Sequence, residues 1–251
     1  MKRPGFRFAE SGLDRLLSAH LTNAQYNRLV WGAYPYLWRL GSLAGVRTPI
    51  EAASGEVVGD EWGTKAWVRE ILDEFVFPNV SGESVAAELG VGGGRLASQV
   101  APRVKTLYCL DVSPGMLRRA RHALRGRGDA RFVRLRGACP PELRGAVDFV
   151  YAFDVLVHLD LHATWAYVRL MHEMLVPGGR AMVHVANLAA PLGWERFSRQ
   201  QGFSVGGLNW LCPEIVGIMA WHAGFSVVAG SSPRPGNEYL NRDYVAVLER
   251  A

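Results

Sequence analysis

From residue 84 onward, short apolar runs alternate with helical patterns along the chain. Such alternation is typical of βα units around a mainly parallel sheet, because each parallel strand needs a crossover before the next one. Helices are predicted from the glycine-rich turn near Gly94, from Pro114, and from Leu161 to Leu175, before a stop signal at residues 177–179. Strands are predicted at residues 84–90, 106–111, 130–135, 147–153 and 180–187, and SVV to YVAVL forms a last hairpin at the sheet edge.

The chain changes character near residue 80. Residues 1–80 are predicted as a helical, aromatic-rich N-terminal cap or lid, and residues 81–251 as the sheet-containing domain, with a substrate-side insertion at 187–212. Aromatic side chains of the cap and the insertion could close a satellite core, or they could line a pocket over the carboxyl edge of the sheet. The aromatic candidates for contact with a substrate are Tyr26, Trp31, Trp62, Trp194 and Trp210.

Composition narrows the class of protein. A chain of 251 residues with 49% apolar residues can bury one large core. No run of eighteen apolar residues could span a bilayer, and the start, MKRPGFRFAESGLDRLL, lacks the apolar stretch of a secretory signal. We therefore expect a cytoplasmic protein, either a monomer or a homodimer. Three scattered cysteines predict neither a disulfide framework nor a zinc site.

Basic residues are concentrated in one stretch. Eight arginines lie between Arg118 and Arg136, opposed only by Asp129. The stretch could bind nucleic acid or an anionic surface, or it could be a solvated helix face. Phe132 is the only aromatic residue there that could stack on bases, which favours the solvated face.

A glycine-rich turn, ELGVGGGRL, joins the first predicted strand to a helix. Glycines at such a turn let the backbone approach a cofactor closely. A dinucleotide-binding GxGxxG would need glycine where this chain has Arg95. A carboxylate at Glu88 would repel a pyrophosphate but suits a cofactor that carries an ammonium and a sulfonium. Asp111 ends the next strand, where an acid can accept hydrogen bonds from ribose hydroxyls or can cap the following helix.

Four motifs in order, ELGVGGGRL, LDVSPGML, VDFVYAFDVLVHL and MLVPGGRAMVHV, resemble those of class I S-adenosylmethionine-dependent methyltransferases. The resemblance covers about residues 84–187. It implies an α/β fold with a Rossmann-like methyltransferase sheet, mostly parallel with an antiparallel last strand, helices on both faces and an N-terminal helical cap. It also implies S-adenosylmethionine as cofactor and S-adenosylhomocysteine as product.

The resemblance assigns roles to individual residues. The methionine end of the cofactor would lie against Glu88, Gly90, Gly92 and Gly94, and the ribose against Asp111. Val112, Met116 and Phe153 would also contact the cofactor, and Ala138 is a candidate beside the adenine. Many relatives carry an acid after the third strand, whereas this chain reads RGAC at residues 136–139.

Methyl transfer from a sulfonium needs positioning more than reactive side chains. His158, near the carboxyl edge of the sheet, is a candidate base, with a structural or positioning role as the alternative. Asp154 and Asn187 lack the further ligands of a catechol-type metal site, so no metal is predicted. The fourth strand ends in YAFD, unlike the motif for methylation of nucleobases or glutamine.

The leading prediction is an enzyme that methylates an O or N atom of a small molecule such as a natural product or a sugar-bearing intermediate. The alternatives are an RNA or protein methyltransferase that uses the arginine stretch, and a non-catalytic cofactor-binding subunit. An NAD-dependent oxidoreductase is the weakest possibility, given Glu88 and Arg95.

Overall fold

The computed structural model describes residues 16–43 except residue 18, residues 63–200 and residues 207–251. Eight strands form one sheet with helices on both faces. The strands are β1 (Val85–Leu89), β2 (Thr106–Asp111), β3 (Ala130–Arg134), β4 (Val147–Ala152), β5 (Leu175–Asn187), β6 (Trp210–Leu211), β7 (Phe225–Gly230) and β8 (Asp243–Arg250). The helices are α1 (Asn23–Leu43), α2 (Lys65–Ile71), α3 (Ala97–Val100), α4 (Pro114–Ala123), α5 (Leu161–Met174), α6 (Pro191–Arg199), α7 (Pro213–His222) and α8 (Glu238–Arg242).

The strand order is β3-β2-β1-β4-β5-β8-β7, with β6 paired to the end of β5. Strands β1 to β5 pair in parallel, and β8 lies antiparallel between β5 and β7. Ala186 of β5 pairs with Trp210 of β6 on one side and with Asp243 of β8 on the other. Strand β6 therefore lies on the same side of β5 as β4, nearer the carboxyl end of β5. The predicted α/β fold, its antiparallel strand and its closing hairpin are confirmed.

The central strands β1, β2 and β4 and the second half of β5 are mostly buried on both faces, as expected for a parallel sheet covered by helices, whereas the edge strands β3 and β7 are more exposed. One core cluster joins the sheet to α2, with Ile71 and Phe75 almost fully buried. The opposite cluster joins it to α5 through Val168 and Met171. Residues 65–76, predicted as part of the cap, therefore contribute to the main core of the sheet.

Polar residues fix several helix starts. Ser113 caps α4 by accepting the backbone N–H of Met116, and Pro114 occupies the first helical position, as the sequence predicts. Asp160 caps α5 through the N–H of Ala163. These caps set where each helix leaves the sheet edge.

Two predicted boundaries are wrong. The fifth strand begins at Leu175 rather than at residue 180, directly after α5, and residues 177–179 lie inside it. Gly178, with φ of 73°, lets the strand bulge there, and the β4–β5 register shifts between Val147 and Phe149. The helix predicted from Gly94 starts only at Ala97, because the glycine turn runs on to that point.

Helix α1 packs on α4, with Tyr26 and Val30 buried. Among the helices of the described residues, none combines the length and hydropathy needed to cross a bilayer.

Two helical glycines give a test of the packing. A Cβ at Gly193 in α6 would lie 1.8 Å from the backbone oxygen of Asn187, whereas a Cβ at Gly217 in α7 has nothing within 4 Å. We expect Gly193→Ala to lower the free energy of unfolding by about 1–3 kcal/mol through overpacking. Gly217→Ala, the matched control, raises it by about 0.5–1 kcal/mol through helix propensity. Urea unfolding of both variants measures this, and equal stabilities would contradict the packing of α6.

Candidate cofactor and methyl-transfer site

The glycine-rich turn leaves β1 at the carboxyl edge of the sheet. The backbone N–H groups of Gly90 and Val91 both donate to the carbonyl of Leu110, at 2.7 and 3.0 Å, which ties the turn to β2. Gly90 has φ of 75°, and a Cβ there would lie 2.3 Å from Val155 Cγ2. Gly92 has φ of 53° and open space at its Cβ position, and Gly94 has φ of 94°. Glycine is therefore required both by conformation and by close approach.

Asp111 lies at the end of β2 beside this turn. Its Oδ2 accepts the backbone N–H of Gly92 at 3.0 Å, and its Oδ1 accepts that of Ser113 at 2.8 Å. Burial raises the pKa of Asp111 to about 6. Each oxygen retains a further lone pair, so the carboxylate can hold the turn and still accept hydrogen bonds from a ligand.

Glu88 is the buried acid of β1, with 3% of its surface exposed. Its Oε2 accepts the hydroxyl hydrogen of Tyr151 at 2.8 Å, and burial raises the pKa of Glu88 to about 8. No arginine or lysine of the described chain forms an ion pair with it. A buried carboxyl group without a protein cation fits a positively charged ligand.

The other predicted cofactor residues differ in position. Met116 is buried in the first turn of α4, Val112 is partly buried just before that helix, and Ala138 is exposed after β3. The ring of Phe153 stacks on His184, with centroids 4.4 Å apart, and belongs to the core cluster that contains Tyr239. Phe153 can thus meet a cofactor through its backbone, while its side chain packs inside the fold.

His158 ends the short helical turn Leu156–His158 that follows β4. Its backbone carbonyl accepts hydrogen bonds from the side chains of Asn23 and Asn27 of α1, at 3.1 and 2.9 Å. The ring of Trp31 lies 5.0 Å from the imidazole. Burial lowers the pKa of His158 to about 4, and its Nδ1 is buried with no hydrogen-bond partner among the described residues.

A polar network lies next to His158, under the carboxyl edge. The hydroxyl of Tyr239 donates to Asp154 Oδ2 at 2.7 Å and accepts from Arg95 Nη1 at 3.0 Å. His184 Nε2 lies 2.9 Å from Asp243 Oδ2, and Arg242 Nε donates to Asp243 Oδ1 at 2.7 Å. Burial opposes both charges of that pair, yet Arg242 holds the pKa of Asp243 below its ordinary value.

The predicted substrate aromatics are not all brought together. Trp31 covers His158 and also packs against the small cluster of Tyr26 and Val30, in which Tyr26 is buried. Trp194 on α6 is 60% exposed, and Phe197 links it to Trp210, with centroid distances of 5.6 and 6.0 Å. Trp62 lies outside the described residues.

Sequence reasoning missed Asn23, Asn27, Arg95 and Tyr239 as site residues. In the sequence, Arg95 stands out only because it replaces the last glycine of a GxGxxG motif. In the structure, its Nη2 also donates to the carbonyl of Gly63 at 3.0 Å. The two asparagines recur at a spacing of four residues, which is the only sequence signal that they share one face of α1.

The arginine stretch lies along α4, the loop after it and β3. Arg121 stacks over Phe132, and Arg131 pairs with Asp129 at 3.1 Å. Arg125, Arg127 and Arg134 are exposed.

Comparison with known proteins agrees with this geometry. Residues 86–179 match the family model described as a methyltransferase domain. No curated protein matches the chain. Magnesium protoporphyrin IX methyltransferase from Synechocystis PCC 6803, solved with bound S-adenosylhomocysteine, has a TM-score of 0.66 and 18% identity and covers 91% of this chain and 100% of its own.

Two further solved structures share the fold. A protein from Pyrococcus horikoshii has a TM-score of 0.60 and 15% identity over 75% of this chain and 92% of its own. A SAM-dependent methyltransferase from Methanosarcina mazei has a TM-score of 0.53 and 12% identity over 70% of this chain and 97% of its own.

The fold is thus that of a Rossmann-like methyltransferase. Residues 86–179 carry the methyltransferase domain, and the predicted resemblance to class I S-adenosylmethionine-dependent methyltransferases is confirmed, together with S-adenosylmethionine as the cofactor that solved proteins of this fold bind. The glycine turn, the buried acid Glu88 and the carboxylate of Asp111 fit that cofactor's charge and hydroxyl groups.

Asp111→Asn tests the predicted contact of Asp111 with the ribose. The amide can still receive one backbone N–H but loses the charged acceptor, so we expect S-adenosylhomocysteine to bind about 10- to 100-fold more weakly. Asp73→Asn is the matched control, because Asp73 is an exposed acid that pairs with Arg69 on α2. Calorimetric titration measures the affinities, and wild-type affinity in Asp111→Asn would rule out this contact.

Glu88 predicts proton release on cofactor binding. With a pKa of about 8, Glu88 is mostly protonated at pH 7, and a bound cation favours the ionised form, so the pKa falls and a proton leaves. The affinity for S-adenosylmethionine therefore rises with pH up to about 8. Titration at pH 7 in buffers of different ionisation enthalpy measures the released proton, which Glu88→Gln abolishes. Identical heats in every buffer for the wild type would contradict this role.

Proposed function

We propose that this protein transfers a methyl group from S-adenosylmethionine to an O or N atom of a small, partly apolar molecule in the cytoplasm. The observation that carries the proposal is the docking of α1 over the turn that follows β4. Asn23 and Asn27 hold the carbonyl of His158, and Trp31 covers its ring. A helix fixed there encloses the place where the methyl group of this class of enzyme is transferred.

The proposed cofactor contacts follow the geometry of the carboxyl edge. Gly90, Gly92 and Gly94 let the backbone approach the methionine end, Glu88 faces its positive charge, and Asp111 accepts the ribose hydroxyls. When bound, S-adenosylmethionine supplies a methyl group already activated on sulfur. The remaining task of the protein is to hold the acceptor in line and to exclude water.

The acceptor pocket is proposed to lie between α1 and the segment after β5. Its roof carries Trp31 from α1, and Trp210 lies on the short strand β6. Asn209 next to it donates its backbone N–H to the carbonyl of Val157 at 2.8 Å, so this segment borders the turn of His158 directly. Aromatic surface with a few polar groups is the usual lining of a small-molecule site.

His158 is proposed to contact the acceptor at the methyl-transfer centre. Because burial lowers its pKa to about 4, the imidazole is neutral at physiological pH and binds protons weakly. Such a group orients an acceptor by hydrogen bonding and is poorly matched to remove a proton from a hydroxyl. We therefore favour the positioning role over that of a strong base.

The likeness to a solved methyltransferase also favours a small acceptor. The solved protein with a TM-score of 0.66 is named for magnesium protoporphyrin IX, a small molecule, and its likeness covers 91% of this chain. This likeness supports a small apolar acceptor in general and does not select a porphyrin. An RNA or protein acceptor, or a non-catalytic role, remains the alternative proposal.

The cap gives a test that separates acceptor from cofactor binding. In Asn27→Ala combined with Trp31→Ala, α1 loses a hydrogen bond to His158 and its aromatic cover, so we expect methyl transfer into a small-molecule extract to fall about tenfold or more. Affinity for S-adenosylhomocysteine should stay within about twofold. Transfer is followed with S-adenosylmethionine labelled in its methyl group.

Leu29→Ala is the control for this experiment, since Leu29 lies on the same helix but is 49% exposed. It should retain wild-type transfer. Label that enters RNA or protein instead of the extract, or full transfer by the double variant, would count against the proposed acceptor site.

A further inference from the structure

Asp154 lies at the carboxyl end of β4, between the glycine turn and the cap. Its neighbour Val155 packs against Gly90, and four residues later His158 lies under Trp31. Among the described residues, Asp154 is the only non-glycine residue with positive φ, at 55°. Its side chain is 27% exposed. The carboxylate is thus partly exposed at the carboxyl edge of the sheet, near which the acceptor is proposed to bind.

One carboxylate oxygen of Asp154 is held firmly. Oδ2 accepts the hydroxyl hydrogen of Tyr239 at 2.7 Å and lies 3.6 Å from Arg95 Nη1. Burial raises the pKa of Tyr239 well above its ordinary value, so the phenol keeps its proton. Since Arg95 already donates to the phenol oxygen, the phenol hydrogen points to Asp154. This arrangement fixes the orientation of the carboxylate.

Among the described residues, none donates a hydrogen bond to the second oxygen, Oδ1. Oδ1 lies 3.6 Å from His184 Nδ1. That nitrogen accepts the backbone N–H of Asp154 at 3.1 Å, so it carries no proton, and the ring hydrogen is on Nε2, which donates to Asp243. In the part of the chain that the structure describes, Oδ1 is therefore a carboxylate oxygen with no hydrogen-bond donor.

We propose that Oδ1 of Asp154 receives an N–H of the methyl acceptor, and that the acceptor is an amine. This inference rests on the proposed function and names the substrate class of the same site. Asp154 would be a substrate-contacting residue, whereas Tyr239 and Arg95 act through it as positioning residues.

The charges at this edge favour an amine over an acid. Arg95 faces Asp154 through Tyr239, and Arg242 is paired with Asp243, so both cations already have acidic partners. The oxygen that remains available is negative, and it would repel a carboxylate acceptor. A neutral amine brings the N–H that this oxygen lacks and keeps a lone pair for the methyl group.

The proton balance favours an amine over a hydroxyl. A hydroxyl must lose its proton as it is methylated, and His158, the nearby imidazole, binds protons weakly. A neutral amine needs no base for the transfer itself. Its lone pair forms the new N–C bond while the methyl–sulfur bond breaks and leaves its electron pair on sulfur. The positive charge passes from sulfur to nitrogen, where Asp154 stabilises it, and the product can later lose a proton to solvent.

The test uses methyl-labelled S-adenosylmethionine and a cell extract of small molecules, separated into cation-exchange, anion-exchange and neutral fractions. After the unreacted S-adenosylmethionine, itself a cation, has been separated by its known retention time, we expect new label only in the cation-exchange fraction, in a form that resists alkali, because N-methyl groups are stable whereas methyl esters are hydrolysed. Asp154→Asn should lower this incorporation about 10- to 100-fold, since a charged hydrogen bond is lost. Asparagine tolerates the left-handed backbone, so the variant should fold.

Tyr239→Phe is the second variant. It leaves the carboxylate but frees its orientation, so we expect KM for the labelled amine to rise more than kcat falls. Asp148→Asn is the control, because Asp148 lies on the same strand at the opposite edge, where it accepts the N–H of Val85. S-adenosylhomocysteine affinity is measured for every variant and should stay within about twofold of the wild type.

Label in the anion-exchange or neutral fraction, alkali-labile label, or wild-type incorporation by Asp154→Asn would each overturn the assignment of an amine. Absence of label from every small-molecule fraction, with cofactor affinity intact, would overturn the proposed function itself and this inference with it.

Discussion

The parallel pairing of β1 with β2 on one side and β4 on the other is the constraint on which the site depends. In this register Glu88 lies opposite both Cys109 and Tyr151. The three strands consequently end at one edge, and the residues that follow them converge without any long loop. The carbonyl of Leu110 accepts two N–H groups of the glycine turn, so the turn is fixed by β2 rather than by its own contacts alone. A slip of one residue would move Glu88 to the opposite face of the sheet.

The same pairing places two acids where they cost stability. Burial raises the pKa of Asp111 to about 6 and that of Glu88 to about 8. For an acid whose pKa in the folded protein exceeds its ordinary value, ionisation is unfavourable, so stability is lost as pH rises through those two values. A cationic ligand offsets this cost at Glu88. The site therefore gives up some stability before binding and regains it in the complex.

The sequence was sufficient for features that depend on neighbouring residues. The glycine turn, the cap at Ser113, the position of His158 near the sheet edge and the closing hairpin all follow local patterns. The contacts of Asn27 with His158 and of Arg95 with Tyr239 join residues 131 and 144 positions apart, and no local pattern reports them. Residues 177–179 predict a stop between helix and strand, but they lie inside β5. A proline and two glycines also suit a bulge inside a strand, and only the pairing with β4 distinguishes such a bulge from a turn.

Helix α1 is attached to the carboxyl edge by polar contacts in addition to the burial of Tyr26 and Val30. Asn23 accepts the N–H of Asp160 and, with Asn27, donates to the carbonyl of His158, while Trp31 donates to Asn27 at 3.0 Å. When such a hydrogen bond breaks, both groups can bond to water instead, so the net change in free energy is small. Helix α1 is hydrogen-bonded to the same turn that begins with Asp154. A shift of α1 would therefore also shift the residues of that turn that are proposed to contact the acceptor.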